Sequence, residues 1–117
     1  MPRRRKIPGE VYVKIPTSAP PESVLELMFE GKTLQIAKKI IEYLKENKAL
    51  WKDEYEEALN IKGSERVLYF RAIRKMLAAG LIYEDRGTYR LSKKFSDRLE
   101  NLAKLWLFEI GKVEEIW

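Results

Sequence analysis

The sequence predicts an α+β domain, mostly helical, in which three helices run into a β-hairpin and one more helix is appended. Three observations predict it. "LQIAKKIIEYLKENK", residues 34–48, repeats Ile36, Ala37, Ile40, Ile41 and Leu44 at helical spacing, with Gln35, Lys38, Lys39, Glu42, Lys45 and Glu46 on the other side. "SERVLYFRAIRKMLAAG" gathers Tyr69, Phe70, Ile73, Met76 and Leu77 on one face and stops at Gly80. "LIYE" and "TYRLS" read as strands joined through "DRG", with Gly87 in the left-handed position of a short hairpin loop.

The remaining elements follow in order. "MPRRRKIPG", residues 1–9, reads as a basic flexible arm. "EVYVKI" alternates and predicts a short strand with Val11, Val13 and Ile15 on one face. "PTSAPP" is a linker, and Pro21 suits the first turn of a short helix that Gly31 ends. Thr33 is the expected N-cap of the helix at 34–48. "ALW" reads as a short strand, and "KDEYEEALN" as a helix with Tyr55, Ala58 and Leu59 inward. Ser92 caps a last helix, running from Lys93 towards the C-terminus. This divides the chain into an arm at 1–9, a domain at 10–92 and a helical extension at 93–117.

Composition narrows the chemistry. The 117 residues contain no cysteine and no histidine. The usual nucleophile–base pairs and the commonest zinc ligands are therefore missing, so neither an enzyme, a metal site nor a cofactor is expected. No apolar run reaches the roughly 18 residues of a membrane span. No apolar segment follows "RRRK" as a secretory signal requires, so the expected location is the cytoplasm. Lys, Glu and Arg dominate a 35% charged chain in which Gln35 is the one glutamine, a thermophile-like composition. The net charge of +5 is unevenly placed. Residues 1–20 carry +4, residues 21–60 carry −3, residues 61–91 carry +4 and the rest is neutral. Two basic segments around an acidic one are the footprint of a polyanion binder.

At "RAIRKMLAAGLIYEDRGTYRLS" the sequence resembles winged helix-turn-helix regulators of the broad MarR/ArsR-like type. Arg71, Ala72, Ile73, Met76, Gly80, Leu81 and Ile82, then Tyr89, Leu91 and Ser92, carry the resemblance, which covers roughly residues 24–92. It implies a winged-helix domain that binds double-stranded DNA, most simply as a transcriptional regulator. The third helix would enter the major groove and the hairpin would be the wing. Carried over by position, Arg66, Arg71, Arg74 and Lys75 would face the groove or its phosphates. Arg86 would sit at the wing tip and Arg90 on the return strand. Arg3, Arg4 and Arg5 of the arm would enter a minor groove, or else belong to a solubilising tail.

Val67, Leu68 and Phe70 stand where such helices usually carry Ser, Thr or Asn. They can touch thymine methyls but cannot hydrogen-bond base edges. They support an alternative, a winged-helix protein–protein interaction subunit of a DNA-processing complex. The acidic run Asp53, Glu54, Glu56 and Glu57 leans the same way unless it points away from phosphates.

Two other signals complete the reading. "EGKT" at 30–33 lacks the glycine that a phosphate-binding loop needs five residues before Gly31, where Glu26 stands; a helix stop and a cap explain it. The last helix has a stripe of Phe95, Leu99, Leu102 and Trp106, to which Leu105, Leu107, Phe108 and Ile110 add apolar surface on nearly every side. A helix apolar all round must be buried. A homodimer with Leu102, Leu105, Trp106 and Phe108 at the interface is the expected cover; the alternative is the N-terminal strand and helix of the same chain.

Overall fold

A computed structural model describes residues 7–17 and 21–111. Helix α1 spans Gly31–Asn47, strand β1 Leu50–Trp51, helix α2 Tyr55–Ala58 and helix α3 Arg66–Ala79. Strands β2 (Ile82–Asp85) and β3 (Thr88–Leu91) follow, then helix α4 (Lys94–Ile110). Two 3₁₀ turns, Val24–Leu27 and Gly63–Glu65, precede α1 and α3. The protein is an α+β domain with a three-stranded antiparallel sheet in the order β1-β3-β2.

The core lies between α1 and α3 and is closed by the sheet. Ile36, Ala37, Ile40 and Leu44 of α1 meet Tyr69, Ala72, Ile73 and Met76 of α3, with Leu50 and Ile82 beneath them, all essentially fully buried. Burying an aliphatic side chain of this size contributes roughly 1.5–3 kcal/mol, so this contact dominates the stability.

Helix α3 ends in a Schellman motif. Leu81 N donates to Met76 O at 2.9 Å and Gly80 N to Leu77 O at 3.2 Å, with Gly80 at φ +92°. The chain is thereby turned straight into β2. The hairpin loop has two residues, Arg86 at φ +50° and Gly87 at φ +81°. Two consecutive positive values match the type I′ turn, whose twist suits an antiparallel pair. The Thr88 hydroxyl donates to Asp85 O at 2.6 Å and locks the turn. Strand β1 pairs Leu50 with Tyr89 and Trp51 with Thr88, which ties the hairpin to the end of α1.

The structure departs from the sequence reading at four places. "EVYVKI" is extended but joins no strand; Lys14 N donates to Leu27 O at 2.8 Å, Val11 and Val13 pack on the core, and Ile15 is exposed. The helix expected near Pro21 is the 3₁₀ turn, capped by Ser23, whose Oγ accepts from Leu25 N at 3.1 Å. Gly31 begins α1 rather than ending its predecessor: at φ +60° it lets the chain enter the helix early, so Glu30 and not Thr33 is the N-cap. Helix α2 is a single turn, and the long link before α3 is taken up by the second 3₁₀ turn, where Lys62 N donates to Glu65 Oε1 at 3.0 Å.

Candidate nucleic-acid interface

Helix α3 buries one side and leaves the other open. Val67 is 61% and Phe70 43% exposed, Arg71 is exposed, and Leu68 is half-buried. Phe70 is held edge-on against Tyr55 and Tyr69, with ring centroids 5.3 and 5.2 Å away. Beneath it the Tyr55 and Tyr69 rings stack at 4.1 Å. Val67 and Phe70 thus form an apolar patch on a rigid aromatic base, with Arg71 beside it.

The basic side chains divide by environment. Arg66 Nη2 donates to Glu56 Oε1 at 2.8 Å, so its charge is already matched across the turn from α2. Lys75 points back into the fold: Nζ donates to Met28 O and lies 5.3 Å from the centre of the Phe29 ring. Desolvation by burial, with the Lys14 charge adding to it, pulls the Lys75 ammonium below the usual lysine range. The expectation that Lys75 faces phosphate does not fit this placement; the backbone carbonyl before the Phe29 ring captures it. Arg74 is half-buried and its Nε finds no partner among the described residues. Pro8, Glu10, Val11 and Tyr12 share a shallow hollow with Arg71, Arg74 and Lys75, so the N-terminal segment lies along the C-terminal half of the outer face. Arg90 Nε lies 3.7 Å from Asp85 Oδ2. Arg71 and Arg86 form no ion pair among the described residues, and Arg86 stands exposed at the hairpin tip. Arg3, Arg4 and Arg5 lie outside the described residues.

Two features of this face escaped the sequence reading. Trp51 is 53% exposed and lies against the hairpin tip, where a Cβ at Gly87 would come within 3.8 Å of its ring. Its place became legible only with the β1–β3 pairing. Around the start of α3, Lys39, Lys32 and Lys62 add their charges to the Lys62 N–H in holding the Glu65 carboxyl below its ordinary range. Lys39 belongs to the polar side of the helix read at 34–48 and Lys32 to "EGKT", and nothing in their spacing pointed to Glu65. The charges of the three lysines are felt at this one carboxylate, though none of them forms an ion pair with it among the described residues. The acidic residues of α2 are all exposed, and Glu56 is the one matched to Arg66.

On α4, Leu102, Leu105, Trp106 and Phe108 are all exposed, by 61%, 61%, 62% and 84%. The helix has no buried residue: among the described residues, the N-terminal segment from Ile7 to Val13 shares a hollow with Phe95, Arg98, Leu99 and Leu102 but leaves Leu105, Trp106 and Phe108 uncovered. Among the described residues no group of three or more metal-ligating side chains is gathered, and no helix is long and apolar enough to cross a membrane.

Four helices and a three-stranded antiparallel sheet among the described residues define an α+β protein. A family model, described as an archaeal family, matches residues 18–112, and the chain belongs to that archaeal family. No curated protein and no solved structure matches it.

Proposed function

We propose that the chain is a winged helix-turn-helix protein that binds duplex DNA without catalysis and acts as a cytoplasmic transcriptional regulator. The observation that carries the reading is the topology: helix, strand, helix, helix, hairpin, with the first strand paired to the last. In this reading the N-terminal half of α3 and the type I′ hairpin, whose tip carries Arg86, act as one unit. A single helix fits a major groove, and the hairpin would reach the flanking backbone. Arg71 is then the side chain for a base edge. Arg86 and the lysines around Glu65 would meet phosphates.

The exposed Val67–Phe70 patch favours a second reading, a winged-helix subunit that docks another protein through α3. Apolar side chains on a rigid base suit a protein interface better than a phosphate-lined groove. An electrophoretic shift on random duplex DNA across a salt series separates the two. Binding that weakens steeply with salt, and that Arg71→Ala together with Arg86→Ala abolishes in a folded protein, supports the first. Unaltered binding in that double variant, or no shift at low salt, replaces it with the second.

A further inference from the structure

Helix α4 has 17 residues and buries none of them. It joins the body at its first turn, where Phe95 N donates to Gly80 O at 3.0 Å, Phe95 packs on the core and Arg98 donates to Ala78 O. Beyond that turn Leu99, Leu102, Leu105 and Trp106 follow one another along one side, all exposed. An isolated helix of this length is marginal in water, so something must cover the stripe for the helix to persist.

We infer that α4 pairs antiparallel with α4 of a second copy of this chain, about a two-fold axis near Lys104. Two arguments select this occupant. The first is area. Trp106 belongs to the class that buries roughly 150–250 Å². With Leu99, Leu102 and Leu105 beside it, the stripe supplies the apolar centre of an interface whose standard size is about 800 Å² per partner, and the flanking side chains supply the rest. The second is charge. Arg98 and Glu109 border the stripe on the same side, eleven residues and about three turns apart. In a parallel pair like charges would face each other, Arg98 against Arg98 and Glu109 against Glu109. In the antiparallel pair each Arg98 lies opposite the other copy's Glu109. The same register sets Leu102 against Trp106 and brings the two Leu105 side chains together across the axis. Phe108, one turn beyond Leu105, borders the contact. The pairing does not depend on what α3 binds.

The chain has no cysteine, so a single introduced one reports the geometry directly. Full-length protein is expected to sediment as a dimer at micromolar concentration, and Trp106→Glu to leave a folded monomer. Under mild oxidation Leu105→Cys should cross-link nearly completely. Leu99→Cys should not, because its two copies lie about 15 Å apart along the axis, beyond disulfide reach. Glu109→Arg should weaken the dimer at least tenfold, and adding Arg98→Glu should restore it. Cross-linking at Leu99→Cys but not at Leu105→Cys would overturn the antiparallel register. A monomer at 100 micromolar would overturn the pairing itself, and co-flotation of that monomer with anionic lipid vesicles would assign the face to a bilayer instead.

Discussion

Single side chains on α3 separate into those that hold the fold and those free to bind. Tyr69 is the clearest structural one. Its ring is buried under Tyr55 and its hydroxyl has no partner among the described residues. Burial pushes the phenol well above its ordinary value of 10.0, with Tyr89 and Tyr55 adding to the effect. A pKa raised on folding means that the native state holds the proton more tightly than the unfolded chain. The associated stability is complete below about pH 10 and falls as pH rises above it. Tyr69→Phe removes the unpaired hydroxyl and keeps the ring, so it should be neutral or stabilising by up to about 1 kcal/mol at pH 7. It should also reduce the loss of stability above pH 10, with Tyr89, likewise raised by burial, supplying the remainder. Denaturant midpoints at pH 7 and pH 10.5 check both. Lys75 and Arg71 make a second contrast. Lys75→Ala should cost about 1–2 kcal/mol through the lost charge-assisted bond to Met28 O, while leaving DNA affinity within twofold. Arg71→Ala should do the reverse, leaving the unfolding midpoint unchanged and narrowing discrimination between DNA sites by roughly 1–3 kcal/mol. The sequence grouped the two residues because helical spacing reports a direction. It does not report that a lysine stem is long enough to fold back to a carbonyl 47 positions earlier.

At the scale of elements, Gly80 is the joint on which the arrangement turns. Its φ of +92° ends α3, and a Cβ there would come within 3.0 Å of Lys94 Cβ and of Phe95 N. Gly80→Ala therefore adds left-handed strain to a contact with the backbone that starts α4. We expect a loss of about 2 kcal/mol or more, read as a lower denaturant midpoint, together with looser docking of α4. This joint was legible in the sequence as a glycine after the last periodic residue. The amphipathic faces of α1 and α3, the short strand at Leu50–Trp51 and the hairpin were legible for the same reason, since each depends on local spacing and turn chemistry. The N-terminal strand was not. Alternation in "EVYVKI" places Val11 and Val13 inward, but it cannot name a partner, and both edges of the small sheet are left to β1 and β2. The early start of α1 was hidden too, because a glycine can end one helix or open the next.

The described residues span 55 × 32 × 27 Å, long for their number because α4 projects from the body. That shape bears on how charge would act. A dimer formed through α4 would carry two α3 helices and two hairpin tips, one set for each of two DNA half-sites, which lie roughly 34 Å apart. The cations available for phosphate are fewer than composition suggests: Arg66 is matched by Glu56, and Lys75 is drawn inward. Arg86 remains for phosphate, Arg71 being kept for a base edge, and the lysines whose charges are felt at Glu65 are taken to supply two further contacts. About three contacts per chain, or six per dimer, should give a slope of log affinity against log salt of roughly −5, and a monomer about half of that. Arg86→Ala removes one contact per chain, so it should flatten the dimer's slope by about two units and weaken binding to all sequences alike. Lys39→Ala should act in the same direction, from a different helix. Fluorescence anisotropy on two unrelated duplexes between 50 and 300 mM salt measures all three slopes. If the wild-type slope is near zero, or if neither substitution changes it, phosphate is not the ligand of this face. The Val67–Phe70 patch would then be its working surface, and a protein would be the partner to seek.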